Sequence, residues 1–72
     1  MDSRLIRLKR GLAQSVKLRR KELGLSQEEL AFRAGTKRSY LSDLERGVRN
    51  PSVRLLGRLA EGLDVPPARL LE

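Results

Sequence analysis

A chain of 72 residues with no cysteine and no histidine has neither thiol nor imidazole for catalysis and lacks the usual zinc ligands. It is long enough for one small domain, and short enough that self-association is a natural source of added stability. Sixteen Lys and Arg against nine Asp and Glu give a net charge of +7, which points to a polyanionic partner. No apolar run approaches the ~20 residues that span a bilayer, and the basic start is not followed by the unbroken apolar core of a signal peptide. The absence of cysteine fits a reducing compartment, and a cytoplasmic location is expected.

The charge is uneven. Residues 1–24 hold eight basic and two acidic side chains, residues 25–50 five and four, and residues 51–72 three and three. The excess therefore lies in the first third, where it is open to two readings, a solvated helix face or direct contact with phosphates. Residues 1–10 read as a basic extension, either an arm or the start of helix one, ahead of a single domain over residues 11–72. Leu5, Leu8, Leu12 and Val16 recur at helical spacing. Gly11 interrupts them, so the firm helix is expected from Leu12 to Leu23, with Gly24 closing it.

The stretch from Leu25 to Gly47 predicts two short helices and a tight turn. Ser26 suits the N-cap of helix two, with Glu29 placed to complete a capping box and Leu25 and Leu30 a hydrophobic staple. Helix two covers about Gln27 to Ala34, with Leu30, Ala31 and Ala34 as its apolar stripe and Phe32 off it. Gly35 ends it in a left-handed conformation. Thr36 suits the N-cap of helix three, expected over Lys37 to Arg46 with Leu41 and Leu44 as buried anchors. Arg38, Ser39, Ser42, Asp43 and Arg46 cannot all fit beside those leucines, so most face solvent or a ligand. Such a pair of helices is how a helix-turn-helix presents itself to DNA.

Pro51 discourages a helix at Asn50, and Ser52 caps helix four. Val53, Leu56, Leu59, Ala60 and Leu63 form its predicted apolar stripe, with Leu55 on a different face. Gly62 costs roughly 1 kcal/mol inside a helix, which a close helix approach would explain. Asp64 ends helix four. Pro67 suits the first position of a short last helix that carries Leu70 and Leu71. The expected fold class is all-α, a compact five-helix domain without strands or repeats.

These residues resemble a known family. The phrases L-G-L-S-Q-E-E-L-A, A-G, Y-L-S-D-L-E-R-G, R-N-P-S and L-A-E-G-L-D-V, in register from about Leu12 to Leu71, are similar to the lambda-repressor-like DNA-binding domain of Cro/C1 (Xre) helix-turn-helix regulators. Within that family, K-R-S-Y-L-S-D-L-E-R-G-V-R-N-P-S looks most like the controller proteins of restriction–modification systems. The resemblance implies base-facing roles for Lys37, Arg38, Ser39, Tyr40 and Asp43. It implies phosphate contacts from Gln27, Ser42, Arg46, Arg49, Asn50 and Ser52, a structural ion pair between Arg20 and Glu45, and dimerisation through helix five. Leu55, Val65, Pro67, Leu70 and Leu71 are the expected interface, unless Leu70 and Leu71 only complete the monomer core.

The chemistry of the contacts agrees with this. Arg38 can give two parallel hydrogen bonds to guanine O6 and N7. Lys37 suits a base or a phosphate. Tyr40 can pack, touch a phosphate, or both. Asp43 can accept from a cytosine amino group or orient Arg46 three residues on. The expected function is a sequence-specific regulator that binds a roughly palindromic operator in double-stranded DNA as a homodimer, in a prokaryotic or phage-derived nucleoid. Phage-type or antitoxin-type repression, and a protein-interaction module with only nonspecific DNA binding, are the rivals. No nucleophile–base pair, phosphate loop or metal cluster can be assembled, so no enzyme activity, cofactor, small-molecule ligand or membrane partner is expected.

Overall fold

The structure, a computed structural model, describes the backbone of residues 3–71 and the side chains of Arg4 and of residues 10–71. Five helices follow one another: α1 Ser3–Glu22, α2 Gln27–Ala34, α3 Arg38–Glu45, α4 Val53–Gly62 and α5 Pro67–Leu70, with no strand among the described residues. Helix α1 runs without a break through Gly11, so the backbone from Ser3 to Arg10 belongs to it. Met1 and Asp2 lie outside the described residues. A glycine costs only about 1 kcal/mol inside a helix. At Gly11 that cost is set against the buried Leu12, Ala13 and Val16 that follow, and the helix continues.

The core gathers one face of every helix. Leu12 and Val16 come from α1, Leu30, Ala31 and Ala34 from α2, and Leu41 and Leu44 from α3. Leu55, Leu59 and Ala60 come from α4, Leu63 follows it, and Leu70 comes from α5. The expected stripe of α4 needs correction. Val53 is 88% exposed, whereas Leu55 is buried and Leu56 packs half-buried against the core edge. Both rows fit helical spacing, so the apolar pattern leaves the rotation of the helix undetermined. Gly62 determines it. A Cβ at this position would stand 3.3 Å from Arg33 Cβ and 3.3 Å from Leu30 Cδ1, so this side of α4 lies against α2. Leu55 and Leu59, seven and three residues earlier, share that side, and Val53, nine residues earlier, lies half a turn away.

Helix α2 begins as expected. Ser26 Oγ accepts from the Glu29 backbone N–H at 3.0 Å, and the Ser26 N–H donates to Glu29 Oε1 at 3.0 Å. The Ser26 backbone N–H, and secondly its hydroxyl, hold the Glu29 carboxyl below its ordinary value. A depressed carboxyl stabilises the fold at pH above its unfolded value and loses that contribution as pH falls through the folded one. Replacing Ser26→Ala should cost about 1 kcal/mol in a denaturant melt. Glu29→Gln should flatten the acid limb of the stability–pH curve. Unchanged midpoints in both variants would remove the capping box from the stability of the domain.

Gly35, at φ +67, turns the chain between α2 and α3. Its N–H donates to the Phe32 carbonyl at 3.2 Å, and the Thr36 N–H returns to the Ala31 carbonyl at 2.9 Å, the double closure of a Schellman turn. Thr36 is thereby committed to ending α2. The next extended residue, Lys37, is the N-cap of α3 and makes no side-chain cap bond. The expected Thr36 cap is therefore displaced by one position. The same closure recurs at Gly24, Gly47 and Asp64, with Leu25, Val48 and Val65 donating back to Arg20, Asp43 and Ala60. Asp64 adopts it at φ +57, the one non-glycine residue at positive φ among those described. Ser52 caps α4 through the Leu55 N–H at 3.1 Å, and Pro67 opens α5.

Candidate nucleic-acid interface

Helix α3 is held in place by a charge pair that reaches across from α1. Arg20 Nε donates to Glu45 Oε2 at 2.7 Å and Arg20 Nη2 to Glu45 Oε1 at 2.9 Å, while Arg20 Nη1 donates to the Leu25 carbonyl at 2.8 Å. The Glu45 side chain is 3% exposed. Hydrogen bonding to Glu45 raises the guanidinium pKa further above its ordinary value, against the opposing effect of burial. This fork-on-fork geometry fixes orientation as well as distance. One pair thus ties the end of α3 to α1 and to the segment entering α2. Gln27, at the first position of α2, joins it by donating from Nε2 to Glu45 Oε1 at 3.2 Å. No buried side-chain polar atom among the described residues lacks a partner.

With Leu41 and Leu44 turned inward, Ser39, Ser42, Asp43 and Arg46 fall on the opposite side of α3 by helical geometry. Lys37, Arg38 and Ser39 are exposed, and their side chains make no hydrogen bond or ion pair among the described residues. Ser42 and Asp43 are partly exposed. Tyr40 packs its ring against the core edge and donates its hydroxyl to the Asn50 carbonyl at 2.9 Å. The Arg49 guanidinium lies 4.8 Å from the centre of that ring, a cation–π arrangement. Asp43 Oδ1 accepts from Arg46 Nη2 at 2.6 Å, and its Oδ2 lies 3.6 Å from Arg49 Nε. Tyr40, Asp43, Arg46, Arg49 and Asn50 thus form one surface network that joins α3 to the following loop. Ser52 lies just beyond, its hydroxyl engaged at the cap of α4.

Two arginines have a structural role that the sequence reading did not assign. Arg19 Nε donates to the Leu63 carbonyl at 2.9 Å, and Arg33 Nη1 to the Gly62 carbonyl at 3.2 Å. Both serve the last carbonyls at the C-terminus of α4, where positive charge is favoured. Together with Arg20 they withdraw part of the basic excess from any ligand. The usable signal was chemical: α4 has no basic residue in its own last turn. The expected dimer residues separate into two groups. Leu55 and Leu70 are 9% and 1% exposed and belong to the monomer core, a correction that follows from the rotation of α4 and from Leu70 facing inward. Val65 is half-buried, whereas Pro67 and Leu71 are exposed.

No helix of the described residues is long and apolar enough to cross a membrane, and these residues contain no group of three or more Asp or Glu placed to hold a metal ion.

Residues 16–70 match a family model described as helix-turn-helix, HTH_3. An uncharacterized HTH-type transcriptional regulator of Sinorhizobium fredii, y4dJ, is 50% identical over 52 residues, covering 72% of this chain and 68% of the relative. The HTH-type transcriptional regulator SinR of Bacillus subtilis is 44% identical over 62 residues, covering 85% of this chain but 56% of its own length. In a crystal structure of SinR, a master regulator for biofilm formation, in complex with DNA, the TM-score is 0.81 at 44% identity, covering 85% of this chain and 98% of that one. The restriction–modification controller protein C.AhdI of Aeromonas hydrophila superposes with a TM-score of 0.83 at 42% identity, covering 86% of this chain and 94% of that one.

Proposed function

Because the chain belongs to the Cro/C1-type helix-turn-helix family, we propose that it is a sequence-specific DNA-binding transcriptional regulator that works as a homodimer on a roughly palindromic duplex. One observation carries the reading: Lys37, Arg38 and Ser39 stand exposed and without a partner among the described residues, at the start of a helix locked to the core by Arg20 and Glu45. Arginine in that position suits the paired acceptors of guanine, and Lys37 a base or a phosphate. Gln27 lies at the start of α2, where free backbone N–H groups favour a phosphate. Ser42, Arg46, Arg49, Asn50 and Ser52 flank the reading surface and suit backbone contacts. The likeness to C.AhdI over 94% of that chain supports a controller protein of a restriction–modification system.

Val65, Pro67 and Leu71 supply the contact between subunits in this reading. That places one α3 in each of two successive major grooves, with centres ~34–36 Å apart. Selection of duplexes from a random pool by the purified protein should enrich an inverted repeat. Binding at moderate salt without any enriched motif would instead favour a protein-interaction module. Leu71→Glu should turn a dimer into a monomer in sedimentation at micromolar protein without shifting the urea midpoint of the isolated subunit. A wild-type chain that sediments only as a monomer would overturn the dimer.

A further inference from the structure

Resting on the DNA-reading assignment above, we propose that Asp43 makes the phosphate contacts of Arg46 and Arg49 conditional on the base that it meets. The starting point is a charge imbalance. One carboxylate holds two exposed arginines, with Arg46 at 2.6 Å on Oδ1 and Arg49 at 3.6 Å from Oδ2. The arginine side chains are 67% and 54% exposed, and that of Asp43 is 31% exposed. Ion pairs of such exposure are weak and exchange readily. Arg49 has a second support in the Tyr40 ring, and Tyr40 is itself fastened to the Asn50 carbonyl. The loop therefore keeps its shape when Asp43 lets go of the guanidinium.

Asp43 also lies on the outward side of α3, together with Ser39 and Ser42, where the major-groove edge of a base pair would be met. A carboxylate only accepts hydrogen bonds. Guanine offers N7 and O6 and thymine offers O4, all acceptors that repel it. Adenine offers an N6 amino group but sets the acceptor N7 beside it, whereas cytosine offers its N4 amino group with no acceptor alongside. Opposite cytosine, the carboxylate gains a new donor, and its hold on the arginines weakens. Arg46 and Arg49 are then free to turn to the phosphates beside the groove. Opposite guanine or thymine the carboxylate keeps the arginines, and those phosphate contacts are not made. In this way a sequence-blind attraction becomes dependent on sequence.

The test compares wild type, Asp43→Asn, Arg46→Gln/Arg49→Gln and the triple variant. Each is titrated on the duplex selected by wild type, on versions with every base at each position, and on a scrambled duplex of equal length. Asp43→Asn should bind the scrambled duplex about five- to tenfold more tightly. It should steepen the slope of log K against log salt by about one to two per subunit, at about 0.9 per phosphate newly met. It should also lose the preference for cytosine at one position of each half-site. In the Arg46→Gln/Arg49→Gln background, the Asp43→Asn gain on scrambled DNA should vanish. A gain that persists there reflects only the removal of one negative charge and overturns the proposal. So does an unchanged salt slope in a variant whose thermal melt shows it folded. If Asp43→Asn is unfolded, Asp43→Ser takes its place under the same criteria. A wild-type chain that selects no motif defeats the DNA-reading assignment itself, and this inference falls with it.

Discussion

Replacing Glu45→Ala should take away a large part of the stability of the fold while leaving the base preference of the folded protein unchanged. Arg20 is 8% exposed, and the variant strips its guanidinium of two of its three acceptors. Breaking one side of a buried pair costs ~3–5 kcal/mol, against a total of ~5–15 kcal/mol for a whole domain. In a domain of this size such a loss lowers the melting temperature by about 15–30 °C. Gln27 loses its acceptor as well, and α3 loses its tie to α1. The companion variant Arg20→Met/Glu45→Leu should recover most of the stability, because a packed apolar pair needs no solvation. Circular dichroism melts of the three proteins measure this. A Glu45→Ala melt within a few degrees of wild type, together with an altered binding motif, would transfer Glu45 from the scaffold to the reading surface.

The second large effect concerns recognition alone. Arg38→Ala should lower affinity for the selected duplex about five- to 150-fold per half-site, corresponding to ~1–3 kcal/mol for each bidentate guanine contact. The loss should disappear when that guanine is replaced. Arg38 is exposed and has no partner among the described residues, so the melting temperature should not move. Lysine is a poor substitute for a planar fork, and Arg38→Lys should recover little of the discrimination. Fluorescence anisotropy on matched and substituted duplexes provides the measurement. A uniform loss across all sequences, with the salt slope reduced by about 1, would mark Arg38 as a phosphate contact.

Much of this molecule is written locally in its chain. The capping box needs only Ser26 and Glu29 three residues apart, and the turn at Gly35 needs only a residue that accepts positive φ. Both are short-range decisions and both were legible. The pairing of Arg20 with Glu45 came from the family resemblance, and the fold places them together. What escaped depends on how helices meet. The rotation of α4 follows from the close approach of Gly62 to α2, and neither Val53 nor Leu55 announces it. The role of Thr36 depended on which residue would close α2. The network of Tyr40, Asp43, Arg46 and Arg49 spans a helix and a loop, and only the Asp43–Arg46 spacing was visible beforehand. Arg19 and Arg33 looked like ordinary surface charge because the carbonyls that they serve are 44 and 29 residues away.

The closures after α1, α2, α3 and α4 share a property with consequences for how such a sequence can diverge. Each is made by main-chain N–H groups returning to main-chain carbonyls, and the only side-chain requirement is a residue that tolerates left-handed backbone. The neighbours of each closure are under no obligation to cap. At the junction of α2 and α3 this frees Thr36 and Lys37, and after α3 it frees Val48 and Arg49, the positions that border the proposed reading surface. Descendants of this chain can therefore explore new side chains at the edges of α3 with little penalty in folding. The same latitude ends at Glu45, where a single exchange disrupts the scaffold. The architecture separates residues open to drift from residues that are not, and the boundary runs through one short helix.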